Sequence, residues 1–426
     1  MMTTVVAVIF FLLAALSVPM AIGLGLAAAA VMATLSPFPL TTVFQRMIAG
    51  MDSFVLSAIP LYILTASLMN AGGITDRLFL FVRRLVGHFP GGLAQANVGA
   101  NMVFAGISGS AVADAGGLGN VMIRAMREQG YKAEMAAGLS AAASVIGPII
   151  PPSIPFVIYG AMAEVSVGKL FAAGLVPGLA IGLAMAAFIA VTSRRNGYPR
   201  DPRSSFAAIV KSFKDSILAL LTPVIIVGGI LGGTFTPTEA AAVAVLYAFA
   251  ISMFAYRAIS WKQLPEILLE SMVTSSIVLF MIATVSAVSW MMTVEQAGTA
   301  FTGAITAISR EPWVVLLLLN IGLLILGCLV ESGAILILMT PVLLPLAVSL
   351  GVDPVHFGVV IVLNLMIGVA TPPVGMSLFV VAHVAKIPLE GVMRAVLPFL
   401  VPLILVLALV TYIPAISLWL PSLLFD

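Results

Sequence analysis

Long apolar runs broken by short polar or Gly/Pro-rich stretches set the pattern of this chain. Residues 5–16, 217–231, 277–292, 314–330 and 392–420 hold a single charged residue between them, Arg394. Many such runs approach the roughly 20 residues that cross a bilayer as helix. They are continuous and rich in Leu, Ala, Ile and Val, not alternating with a period of two, so they predict helices and not barrel strands. The predicted fold class is an all-α polytopic membrane protein. Of 426 residues, 62% are hydrophobic and 8% charged, whereas soluble domains carry roughly 25% charge. Residues 1–30 lack the positive n-region of a signal peptide and are read as an uncleaved membrane segment.

Charge orients the runs, because Lys and Arg near membrane ends favour the cytoplasm. With 73–91, 124–133, 194–214, 257–263 and 386–394 inside, sixteen of the nineteen Lys and Arg residues are cytoplasmic, and only Arg46, Lys169 and Arg310 lie outside. Segment 194–214, with Arg195, Arg200, Arg203, Lys211 and Lys214, is the most polar and reads as an inside linker between two hydrophobic halves.

Sliding the chain on itself reveals a repeat at a separation of 221 residues, ungapped from about Gly106 to Pro177. Gly106 pairs with Gly327, Gly130 with Gly351, Gly147 with Gly368, Pro151 and Pro152 with Pro372 and Pro373, and Pro177 with Pro398. The orientation above makes the two copies inverted. Inverted repeats with Gly/Pro-interrupted hydrophobic segments mark many secondary transporters, whose sites lie near the midplane.

Two kinds of segment carry the candidate chemistry. The first is a re-entrant helical hairpin. Around Gly106–Gly119 sit five glycines, with Ser108, Ser110 and Asp114, and irregular backbone at membrane depth is tolerated only inside protein or beside a water-filled cavity. Free carbonyls and the two hydroxyls suit sodium and also hydrogen-bond an anionic solute. Asp114 lies past the tip and is read as holding the hairpin. In the repeat mate, Glu331 stands where Ser110 stands, followed by Ser332 and Gly333. A midplane acid costs roughly 2.5–3.5 kcal/mol and needs a partner or a cavity. Cation ligand, proton-coupling group and hydrogen-bonded anchor are all open to Glu331.

The second kind is a proline-broken helix, found at Gly147–Pro155 with Ser153 and at Gly368–Gly375 with Thr371. Consecutive prolines remove donors and clash with the preceding turn, leaving two half-helices with exposed termini. Half-helix N-termini attract anions and C-termini offer carbonyls to cations. By contrast, Thr236, Pro237 and Glu239 spell a structural capping box. Segment 74–88 reads as an amphipathic interfacial helix, and His356 and His383 as satisfied polar residues.

Other functions lack their residues. A net charge of +2 offers no basic stripe for nucleic acid. The single cysteine, Cys328, excludes an internal disulfide and any multi-thiolate metal site, and three histidines argue against a histidine-rich metal centre. An enzyme built on Asp114 and Glu331 lacks a nucleophile with its base, and no nucleotide loop is present. A passive channel is the other rival, and it predicts flux without sodium or a binding protein.

The chain resembles the large membrane subunit of the tripartite ATP-independent periplasmic transporters over nearly its whole length. The resemblance rests on 59–64 with 68–74, Gly109–Asp114, Gly147–Pro152, Thr236–Ala242 and Thr371–Gly375. Where the family pattern often continues past Ala-Asp with Ala and Ile, this chain has Ala115-Gly-Gly-Leu-Gly119. The resemblance implies a sodium-driven elevator in the bacterial inner membrane, with no cofactor beyond sodium as the coupling ion. It implies two partners, a small subunit of about four membrane helices and a periplasmic binding protein that delivers an organic acid such as a C4-dicarboxylate or sialic acid.

The expected organisation is scaffold at 1–90, a first transport repeat at 91–193 (hairpin 92–127, broken helix 134–163), the linker at 194–214, scaffold at 215–312 and a second repeat at 313–426 (hairpin 313–350, broken helix 355–384). Sodium is expected around Ser108, Ser110 and Gly147 in one repeat and Ser332, Gly333, Thr371 and Gly375 in the other. The solute is expected between them, against Ser108, Ser110, Ser153 and Thr371, with Asp114 and Glu331 as coupling or structural acids.

Overall fold

The computed structural model describes residues 2–425, and among them all regular structure is helical. Eight helices are long and apolar enough to cross a membrane, including Val167–Asn196, Phe206–Leu231, Leu264–Val294 and Leu389–Tyr412. Their outer faces keep large apolar side chains in the open: Leu183, Leu246 and Met272 are 65–69% exposed. Such a surface is stable against lipid and not against water.

Leu264–Val294 packs against Met20–Leu35, Thr41–Met51 and Ala58–Ala71, and the last of these packs on Pro237–Ala250. The amphipathic helix Ile74–Val86 lies against Phe206–Leu231, burying Leu78 and Val82 while Arg83 and Arg84 stay at its C-terminal end. These helices, the frame, pack in turn on a body made from residues 92–196 and 312–425, Ile74–Val86 on Gly92–Ser108 and Leu264–Val294 on Ser332–Ser349.

That body contains two helix–tip–helix units and two interrupted helices. The first unit joins Gly92–Ser108 to Ala111–Glu128, and the second joins Pro312–Leu329 to Ser332–Ser349. Each ends in the same stop. After Glu128, the N–H of Gly130 bonds Arg127 O at 3.0 Å and that of Tyr131 bonds Met126 O at 3.1 Å. After Ser349, Gly351 bonds Val348 O at 2.9 Å and Val352 bonds Ala347 O at 3.0 Å. Gly130 and Gly351 hold φ of 86° and 79°, the left-handed glycine that closes a helix by returning N–H groups to its last carbonyls.

The interrupted helices follow. One runs from Ala133–Ala143 through a 3₁₀ turn at Ser144–Ile146 and a non-helical stretch to Ile154–Ala163; the other joins Pro354–Val369 to Met376–Ala385. Both double-proline bonds, Pro151–Pro152 and Pro372–Pro373, are cis. The units cross over. Ile154–Ala163 packs on Ser332–Ser349 of the other repeat, and Met376–Ala385 packs on Ala111–Glu128. Each repeat therefore needs the other to cover its arm.

Candidate functional site

The tips meet the breaks through glycines. At the first tip Gly109 has φ of 61°, and a Cβ there would sit 2.6 Å from Pro152 O. Only glycine satisfies both the backbone and the contact. In the second repeat Gly327 and Gly368 touch backbone to backbone: a Cβ on Gly368 would lie 2.8 Å from Gly327 Cα. The Gly375 N–H also donates to Cys328 O at 3.2 Å.

Ser110 and Glu331, equivalent in the repeat, do the same local work. Ser110 Oγ accepts from Ala113 N at 3.4 Å, and Glu331 Oε2 accepts from Ala334 N at 2.8 Å. Each caps the arm that follows its tip, where free N–H groups and the helix dipole favour an oxygen acceptor.

These parts enclose a cavity of about 460 Å³. Ser108, Gly109 and Ser110 enter it from one tip and Glu331, Ser332 and Gly333 from the other. Pro148, Ile154 and Pro155 reach it from the first break, and Met366 and Val369 from the helix before the second. The frame supplies the facing wall, with Ser67 and Asn70 from one helix and Glu270 and Thr274 from another. Among the described residues lining the cavity there is no Lys, Arg or His.

The remaining candidates lie behind or beside the cavity. Ser108 Oγ donates to Asp114 Oδ1, while Asp114 Oδ2 is buried without a hydrogen-bond partner. Gly147 stands beside that oxygen, and a Cβ on Gly147 would collide with it. Ser153 is fully buried, donating to Pro148 O at 2.5 Å and accepting from Phe156 N at 3.2 Å, so its hydroxyl caps the second half-helix instead of facing the cavity. Thr371 Oγ1 donates to Ile367 O at 2.7 Å, and neither Thr371 nor Gly375 lines the cavity.

Sequence reasoning left out the frame's polar wall. Glu270, Thr274, Val278, Met281 and Ile282 follow helical spacing along one face, and a charged residue leading that stripe was the available signal. It also missed a buried polar cluster in which Asn364 Nδ2 donates to Asn320 Oδ1 at 2.8 Å and Asn320 Nδ2 to Thr411 Oγ1 at 3.0 Å. His356 sits beside it, 2.7 Å from Ser417 Oγ, as a satisfied core histidine. The capping box also forms, with Thr236 N donating to Glu239 Oε2 at 2.8 Å and Glu239 N donating to Thr236 Oγ1 at 3.3 Å. No group of three or more His, Cys, Asp or Glu able to hold a metal occurs among the described residues.

A helical membrane body with a polar cavity at the meeting of two repeated tips, framed by a separate set of spanning helices, has the architecture of a solute permease. Comparison with known proteins makes the family specific. Residues 7–416 match the family described as tripartite ATP-independent periplasmic transporter, DctM component, and the chain belongs to it. It is 47% identical over 379 residues to a sialic acid TRAP transporter large permease protein of Vibrio cholerae, covering 89% of each chain. It is 41% identical to a C4-dicarboxylate TRAP transporter large permease protein of Pseudomonas aeruginosa, covering 94% of this chain and 93% of that one. Among solved structures, the YdaH transporter of Alcanivorax borkumensis superposes with a TM-score of 0.63 at 14% identity, covering 90% of each chain, which is a likeness of fold alone.

Proposed function

We propose that this chain is the translocation subunit of a sodium-coupled importer of an organic acid in the bacterial inner membrane, working as an elevator. Residues 92–196 and 312–425 are the moving body, and the surrounding helices are the fixed frame. The two helix–tip–helix units are re-entrant hairpins, entering from opposite faces of the membrane. A small four-helix membrane subunit completes the frame, and a periplasmic binding protein delivers the solute. The names of the relatives, which mention sialic acid and C4-dicarboxylates, support an organic acid as cargo.

One observation carries the coupling: the cavity presents hydroxyls, backbone and two carboxylates, Glu270 and Glu331, but no basic side chain. A carboxylate solute entering it has no fixed positive charge to meet, and an unpaired charge away from water is costly. Sodium bound at the tips supplies that charge. The unpartnered Asp114 Oδ2, beside Ser108 and Gly147, is a buried oxygen suited to a hard cation. Ser332, Gly333 and Glu331 offer the corresponding oxygens at the second tip, with Thr371 and Gly375 supporting its break. The solute carboxylate then meets the Ser110 hydroxyl and the Ile154 N–H at the start of the half-helix that Ser153 caps.

Proteoliposomes holding the chain with its small subunit, supplied with loaded binding protein, test this. An inward sodium gradient drives uptake, and Ser110→Ala or Asp114→Asn abolishes that sodium-driven uptake at unchanged membrane expression. Uptake indifferent to sodium in the wild type would refute the coupling.

A further inference from the structure

We infer that Glu270, on the frame, sets the affinity of the cytoplasm-facing site for the transported anion and so promotes its release. This rests on the reading of the chain as an organic-acid importer.

The argument begins with orientation. Positive charge at 73–91 and 257–263 places the C-terminal end of Ala58–Ala71 and the N-terminal end of Leu264–Val294 on the cytoplasmic side. The frame residues lining the cavity therefore lie chiefly in the cytoplasmic halves of their helices, Ala66, Ser67 and Asn70 in one and Glu270, Thr274 and Val278 in the other, and reach only to about the middle at Ile63, Met281 and Ile282. The cavity in this structure is the inward-facing one. Glu270 begins less than two helical turns from the start of Leu264–Val294, which puts it at the mouth.

Its surroundings leave its charge uncancelled. Glu270 is exposed, takes part in none of the ion pairs formed among the described residues, and shares its cavity with no basic side chain. Lys262, the nearest basic residue in sequence, precedes the helix and does not line the cavity. An anion in the inward-facing cavity leaves past this carboxylate and must pass it again to rebind. Because Glu270 is on the frame, sliding of the moving body changes its distance from the tips. Repulsion acts on the inner side and scales with solute charge, so a dicarboxylate feels it more strongly than a monocarboxylate.

The test uses the complete transporter in proteoliposomes, with uptake started by external loaded binding protein and inhibited by solute trapped inside. Glu270→Gln lowers the internal concentration of a monocarboxylate giving half-inhibition by about three- to tenfold at low ionic strength, and that of a dicarboxylate by more. Glu270→Asp stays near wild type, as does Glu266→Gln, one turn earlier and outside the cavity. The wild type alone gives a second readout, because raising the ionic strength inside lowers its half-inhibiting concentration. Equal inhibition curves for wild type and Glu270→Gln, or an equal shift for mono- and dicarboxylate, overturn the inference. Failure of every carboxylate to be carried or to inhibit would instead count against the organic-acid reading itself.

Discussion

Gly147 and Asp114 show how much one side-chain atom decides at this site. Gly147 has φ −49° and ψ −58°, a conformation open to any residue, so its requirement for glycine is one of space. A methyl group there would strike Asp114 Oδ2. Gly147→Ala is expected to raise the sodium concentration for half-maximal uptake by about tenfold, or ~1.4 kcal/mol, with folding retained; a sodium titration of uptake checks this. Gly109→Ala is different, since it meets both a left-handed backbone and Pro152 O, and is expected to lose folded protein as well as uptake. Ser108, Ser110 and Glu331 were legible in the sequence because each interrupts an apolar run within two residues of a glycine. Asn70 and Glu270 were not, because each sits near a helix end, where polar residues are ordinary. Glu270 does lead an apolar stripe, but what either residue means depends on a cavity that no local pattern encodes.

At the scale of elements, the repeat was legible wherever the backbone makes a special demand. Gly130 and Gly351 match because both stop a helix with positive φ, and the broken helices match because proline removes the same donors in each. The crossed packing of each second half-helix on the other repeat's arm was hidden, since apolar faces do not name their partners. No neighbour lies within 4 Å of a Cβ built on Gly130 or Gly351, so Gly→Ala there carries only the left-handed penalty, roughly 1–2 kcal/mol. Thermal unfolding in detergent should register that loss with uptake per folded molecule unchanged. The linker gives a prediction of another sort. Asp201 accepts from Arg83 Nε and from Gln129 Nε2, both at 2.8 Å, joining the frame's amphipathic helix to the end of the first hairpin arm. The hydrogen bond from Arg83 holds the Asp201 carboxyl below its usual range. A depressed folded-state value stabilises the fold above the unfolded value of about 3.9 and loses that contribution as pH falls through the folded value. Asp201→Asn should therefore flatten the acid limb of a melting-temperature profile, by a modest amount because the pair is partly exposed.

The whole molecule functions as proposed only if its two bodies slide, and one contact between them offers a direct control. Asn70 closes the frame helix Ala58–Ala71, and Gly117 lies within the arm Ala111–Glu128 of the body proposed to move. A Cβ built on Gly117 would lie 4.0 Å from Asn70 Cγ, the place a cysteine's Sγ takes at position 70, so a thiol introduced at position 117 can rotate to meet it. The chain has one cysteine of its own, Cys328, so an Asn70→Cys, Gly117→Cys pair in a Cys328→Ala background introduces a single possible cross-link. If the bodies slide, oxidation pins the first hairpin to the frame in the inward-facing arrangement; uptake falls to background and returns on reduction, while each single cysteine variant is indifferent to oxidant. Hinged opening of the cavity by local movement of the tips alone predicts otherwise, because the tips at Ser108–Ser110 and Glu331–Gly333 lie outside the cross-link. Near-complete cross-linking with uptake preserved would thus select local gating over the elevator.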